Sequence, residues 1–220
     1  MWSYFLKGGP VMWPLLLLSI LGITVVVWRA VALREATRDV SPFMGELRKK
    51  LLAFDLSGAI RVCSSFPGPV ASLVKAGLLR SGQEKDKVEA TLQDASAHEL
   101  ARLERGLPAL ATVATIAPLL GFLGTVTGMI RSFDALASVG LNNPSAVAKG
   151  ISEALITTAA GLMIAIPVQM AYNYFTTRIN SMTRAMEAAA NAVLDAMADI
   201  DSERAPAGDI RRPVATGRMG

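Results

Sequence analysis

The sequence predicts an all-α integral membrane protein with three transmembrane helices and long helical segments that extend into the cytoplasm. Two observations predict it. Hydrophobic residues make up 52% of the 220-residue chain and charged residues only 18%, against about 25% charged in an ordinary soluble domain. The apolar excess is also concentrated: 21 uncharged residues separate Lys7 from Arg29, 25 separate Arg105 from Arg131, and 24 separate Glu153 from Arg178. A helix crosses the hydrocarbon with about 20 residues, so each run is long enough. A water-soluble globular enzyme, a disordered chain and a small disulfide scaffold are excluded, and Cys63, the only cysteine, has no partner for an internal bridge.

Residues 1–7 form a short N-terminal tail, and the first span covers 8–28. Its Leu15-Leu16-Leu17-Leu18 and Val25-Val26-Val27 runs exceed the apolar region of a signal peptide. They also lead into Trp28 and Arg29 rather than a small-residue cleavage site, so the segment reads as a retained anchor. Residues 29–105 follow, 77 residues that are too many for a structureless connection. Within them Glu84 to Arg105 lacks Pro and Gly and carries Val88, Leu92, Ala95, Leu100 and Leu103 among charges, the pattern of an amphipathic helix leading into span two. Phe66-Pro67-Gly68-Pro69 divides the region, with helical periodicity from Met44 to Val62 and from Val70 to Leu79.

The second span covers 106–130 and the third 154–177, joined through 131–153 as a short loop and the start of the third helix. Beyond it, 178–205 continues as a helix: Ile179, Met182, Met186, Ala190, Val193, Met197 and Ile200 recur at three- and four-residue intervals, close to a heptad seam that asks for other helices. The Pro-, Gly- and Arg-containing tail, 206–220, reads as disordered.

Lys and Arg collect on the cytoplasmic side of spans. Arg29, Arg34 and Arg38 follow span one, Arg102 and Arg105 precede span two, and Arg178 and Arg184 follow span three, whereas Ser132 to Ala148 holds neither Lys nor Arg. The N-terminus is therefore expected outside and the C-terminus inside. Trp2, Tyr4 and Phe5 fit the outer interface, and Trp28, Tyr172, Tyr174 and Phe175 the inner one, as anchors. The net charge of +4 comes from basic residues mixed with acids, so no nucleic-acid surface is expected. No P-loop, dinucleotide fingerprint, CxxC or HExxH is present, and the single histidine, His98, offers no converging metal ligands. Cys63 reads as a packed small hydrophobe.

The spans hold two polar constellations. In span two, Gly121, Gly124, Thr125 and Gly128 are small residues three and four apart, and the Gly124/Gly128 GxxxG pair permits close helix approach. In span three, Glu153 is the sole acidic or basic side chain between Gly150 and Thr177, with Thr157 and Gly161 on its face and Thr158 adjacent. An intramembrane carboxylate is a functional candidate, while an acid at a helix start also satisfies the macrodipole. Thr125 and Thr158 fall at similar depth in antiparallel spans, which favours the functional reading. Thr112 and Thr115 continue a polar line inward, although threonine hydroxyls also bond their own helix.

These residues resemble the MotA/TolQ/ExbB proton channel family, in its ExbB/TolQ branch. The matching stretches are Ala117-Pro118-Leu-Leu-Gly121-Phe-Leu-Gly124-Thr125-Val-Thr-Gly128-Met-Ile130, Gly150-Ile-Ser-Glu153-Ala-Leu-Ile-Thr157-Thr158-Ala-Ala-Gly161-Leu162 and Ala165-Ile166-Pro167, and the likeness covers about Gly8 to Ile200. The resemblance implies a non-enzymatic, cofactor-free proton channel subunit of the bacterial inner membrane that forms a ring, a homo-pentamer, with spans two and three lining the pore. It also implies an ExbD- or TolR-like single-span partner inside the ring, whose aspartate carries the proton, and a TonB- or TolA-like protein that receives the work. Thr125, Glu153, Thr158, Thr157 and Thr115 would then line the ion pathway, Gly121, Gly124, Gly128 and Gly161 would pack the helices, and Pro118 and Pro167 would be structural. The cytoplasmic segment is shorter than a flagellar stator requires. Lys7-Gly8-Gly9-Pro10-Val11-Met12-Trp13-Pro14 resembles ExbB N-termini, so energised transport across an outer membrane is the leading expectation. A TolQ-like role, coupling to Na⁺ in place of H⁺, and a non-conducting scaffold stay open.

Overall fold

A computed structural model describes residues 2–36, 40–53, 55–140 and 144–204. Arg38 and the 206–220 tail lie outside these ranges, as do the side chains of Trp2, Arg34 and Ile200. The described residues form eight α-helices: α1 (Trp2–Lys7), α2 (Met12–Ala36), α3 (Ser41–Leu52), α4 (Leu56–Ser65), α5 (Pro69–Leu78), α6 (Lys85–Glu104), α7 (Leu107–Val139) and α8 (Pro144–Arg204). Three of them, α2, α7 and α8, contain stretches long and apolar enough to cross a membrane.

The dominant contact is the antiparallel α7–α8 hairpin, against which α2 lies. Small residues set its spacing. At Gly22 of α2 an added Cβ would stand 3.0 Å from Val168 and 3.2 Å from Val113, so this glycine admits α2 to the groove between α7 and α8. The opposite faces of the three helices leave Leu17, Ile20, Ile23, Leu119, Phe122, Leu155, Met163 and Met170 exposed. Such a surface is stable only against lipid or other apolar helices.

The 29–105 segment folds into a bundle on the far half of α8. Phe43, Leu47, Leu51, Ala59, Cys63, Leu73, Val74, Leu78, Val88 and Leu92 form one core with Ile179, Met182, Met186, Ala189 and Val193 of α8. The heptad-like seam is thus covered within the same chain. α8 has 61 residues, which at 1.5 Å each gives about 90 Å, three times the hydrocarbon thickness. Its length serves both halves of the molecule.

Two expectations are corrected. The periodicity from Met44 to Val62 is not one helix: α3 ends at Leu52, and Asp55 starts α4 by accepting the Gly58 N–H at 2.8 Å. A capping acid restarts the chain although the apolar spacing runs on. α6 leads into span two through a turn at Gly106, which adopts φ +90, a left-handed conformation that glycine reaches without strain. The 131–153 connection is also mostly helical, since α7 continues to Val139 and α8 begins at Pro144.

Candidate functional site

The hairpin seam is built from backbone. Cβ atoms added at Gly121 would meet the Thr157 carbonyl oxygen at 3.0 Å and the Thr158 Cα at 3.1 Å, and one added at Gly161 would meet the Ala117 carbonyl oxygen at 2.6 Å. At the other end a Cβ added at Gly128 would meet the Gly150 carbonyl oxygen at 2.7 Å and the Ala154 amide nitrogen at 2.9 Å. Gly124 sits directly against the Thr157 side chain. The register therefore pairs Gly121 with Thr158 and Gly161, Gly124 with Thr157, and Gly128 with Gly150 and Ala154, which is the close approach that small residues permit in a membrane.

Each polar side chain of the seam has a defined partner. Thr157 is fully buried, and its hydroxyl bonds its own helix, 2.9 Å from the Ala154 carbonyl and 3.1 Å from that of Glu153. Thr158, half-buried, donates across the interface to the Gly121 carbonyl at 3.1 Å. Ser132, buried, donates to the Val147 carbonyl at 3.0 Å and ties the loop-side end of the hairpin together. Glu153 is only 8% exposed and forms an ion pair with Arg131 of α7. Gly9, at φ +71, covers the carboxylate so closely that any Cβ there would collide with it. Glu153 lies nine residues beyond the start of α8, so a first-turn dipole effect does not account for it; its charge is balanced by the Arg131 guanidinium instead.

The structure brings Glu153, Thr157, Thr158 and Gly161 together on α8 against Gly121, Gly124 and Gly128. Thr125 is half-exposed, a turn away from Thr158 in depth, and its hydroxyl donates to the Phe122 carbonyl at 2.6 Å. Thr115 is exposed on α7 and bonds the Ala111 carbonyl at 2.9 Å; Thr112 likewise bonds the Pro108 carbonyl at 2.8 Å. These three stand apart from Glu153. Pro118 and Pro167 lie inside α7 and α8, where each lacks the amide its helix would otherwise use. His98 is exposed on α6, and Cys63 is buried in the bundle core, with burial pushing its thiol up to about 11.

Arg131, Gly9 and Ser132 are the site residues that sequence reasoning missed. In the sequence Arg131 marks only the end of an uncharged run. The signal was present nonetheless: once Gly128 is set against Gly150 and Ala154, the next turn of α7 brings Arg131 to Glu153.

Fold and site together define an all-α membrane protein whose polar groups line a glycine-packed helical hairpin. The chain belongs to the MotA/TolQ/ExbB proton channel family, which it matches over residues 67–188, the stretch holding α5, α6, α7 and most of α8. It is 39% identical over 173 residues to an ExbB-like biopolymer transport protein of Synechocystis, covering 74% of this chain and 65% of that protein. An ExbB homologue of Methanothermobacter thermautotrophicus is 31% identical over 178 residues, 80% of this chain and 63% of that one. The Tol-Pal system protein TolQ of Pseudomonas aeruginosa is 34% identical over 197 residues, 81% of this chain and 84% of that protein. The chain thus spans just under two thirds of the length of the first two relatives.

Proposed function

We propose that this chain is the multi-span subunit of an inner-membrane proton channel that converts the proton motive force into mechanical work. In this reading five copies form a ring, and the exposed apolar faces of α2, α7 and α8 meet lipid, neighbouring copies and an ExbD- or TolR-like single-span partner. The N-terminus is periplasmic and the C-terminus cytoplasmic. The partner's carboxylate carries the proton, while Thr158, Thr125 and Thr115 offer hydroxyls along its path and Glu153 sets the field at the outer end. The observation that carries the reading is Thr158, whose hydroxyl sits at the edge of a seam otherwise closed by glycine and bonds a backbone carbonyl it can exchange for a partner's carboxylate. The bound Glu153–Arg131 pair keeps the outer end nearly neutral, as a passing cation requires.

The Lys7-Gly8-Gly9-Pro10 approach to α2 favours an ExbB-type role, energising outer-membrane transport through a TonB-like protein, over a TolQ-type role acting on a TolA-like protein. In a strain that depends on the system, Thr158→Val and Glu153→Ala should each abolish energised uptake while the protein still assembles. Retained uptake in both variants, with loss only on bulky replacement of Gly124 or Gly128, would make the chain a scaffold. Replacing Na⁺ in the medium with choline leaves uptake unchanged for a proton-coupled channel and stops it for a Na⁺-coupled one.

A further inference from the structure

α8 carries its carboxamide side chains at a regular spacing. Thr158, Gln169, Asn180 and Asn191 follow one another every eleven residues, and Asn173 lies four beyond Gln169. Eleven residues make about three turns and four make about one, so all five side chains stand on one face of the helix. No other Asn or Gln occurs in α8, and all four amides are exposed.

Two of the amides lie inside the apolar stretch. Asn180 and Asn191 come after Arg178, but Gln169 precedes it by nine residues, about 14 Å at 1.5 Å per residue. The Gln169 side-chain nitrogen donates to the Asn173 side-chain oxygen at 3.0 Å. Each carboxamide has two donors and an oxygen with two lone pairs, so this one bond leaves most of the pair's capacity open. Hydrocarbon supplies no partner for it, and polar side chains within spans accordingly face water or other polar groups.

The chain's own helices leave this face open. α2 takes another side, where Leu15 packs with Ala117 and Ala165 and Ala160 lies against them; Ala160 is nine residues from Gln169, about two and a half turns, and so points the opposite way. The bundle covers Ile179, Met182 and Met186, which also lie off the amide face. We propose that Gln169 and Asn173 line a water-filled passage that continues the Thr158 face of α8 towards the bundle and holds the waters through which the ion travels. A carboxamide neither gains nor loses a proton at neutral pH, so its part is to hold water by hydrogen bonds. The proposal rests on the channel reading for the ion, but not for the water.

Cysteine accessibility tests it, in open membrane fragments that admit reagent at both faces and hold the protein with whatever subunits it retains, Cys63→Ala throughout. Gln169→Cys is compared with Met170→Cys, a position also exposed, nearly equal in depth and turned about 100° away. A charged methanethiosulfonate should modify Gln169→Cys at least about tenfold faster, because the reagent and the reactive thiolate both need water. Equal rates at the two positions overturn the proposal. Proton flux of the reconstituted complex is the second readout: Gln169→Leu should lower it severalfold with the assembly's mass unchanged, while Gln169→Asn keeps most of it. A Gln169→Leu complex that conducts as wild type does overturns the role in conduction. An unreactive Gln169→Cys together with a Gln169→Leu chain that no longer assembles makes the amides a bond between helices instead. A reactive Gln169→Cys in a complex that passes no ion leaves the wet face standing and defeats the channel reading, and an unreactive one in a conducting complex does the reverse.

Discussion

Glu153 carries a charge deep in an apolar helix, and its position is stable because Arg131 lies opposite and Gly9 closes over it. Removing Arg131 leaves a nearly buried carboxylate without its partner, whereas Arg131 itself is half-exposed, so the two single variants should not add. A double-mutant cycle with Glu153→Ala and Arg131→Ala, read by chemical unfolding of the purified protein, is expected to give a coupling of about 1 kcal/mol or more, within the range for contacting charges; additive losses would mean the pair is decorative. Cys63 gives a second residue-scale prediction. Its buried thiol, pushed up to about 11, stays protonated at neutral pH, so a maleimide should label it only after denaturation. Glu153 as the one charge of its span was legible in the sequence, as were Thr157 and Gly161 on its face. Arg131 was not, because a pairing between helices appears only once their register is known.

At the scale of elements, the α7–α8 hairpin stands on glycines whose replacement meets backbone rather than yielding side chains. Gly161→Ala puts a methyl 2.6 Å from the Ala117 carbonyl oxygen, and overpacking of this kind costs about 1–3 kcal/mol; thermal unfolding in detergent checks it. The α3–α4 break makes a different prediction. The Gly58 N–H and then Lys50, which bonds the carboxylate at 3.1 Å, hold Asp55 below its ordinary 3.8. A group lowered in the folded state stabilises above its unfolded value and loses that contribution as pH falls through the folded value. The bundle's melting temperature should therefore fall as pH drops from about 5 towards 3, and Asp55→Asn, which keeps a capping oxygen, should flatten that dependence. The three long apolar helices were legible because 20-residue uncharged runs have few other uses. The α3–α4 break was not, since a single capping aspartate interrupts an apolar spacing that continues across it.

The whole molecule is divided by α8 into an apolar half and a charged half, and the heptad seam that seemed to ask for other chains is covered by α3, α5 and α6 of its own. Sequence periodicity announces that a stripe is buried, not which helix buries it. The arginines' placement predicts an outside N-terminus and an inside C-terminus. Exposed Ser138 and Arg184 test it: Ser138→Cys should react with a membrane-impermeant maleimide in intact spheroplasts, and Arg184→Cys only after permeabilisation. The reverse pattern inverts the topology.

Proton flux tests the central claim most directly. The protein is purified from its own membranes together with any single-span subunit it retains, reconstituted into liposomes, and given an inward pH gradient. The wild-type complex is expected to conduct, and Thr158→Val and Glu153→Gln should each reduce its flux to the level of empty liposomes with the assembly's mass unchanged. Flux indistinguishable from wild type in both variants, or none in the wild-type complex, would contradict it.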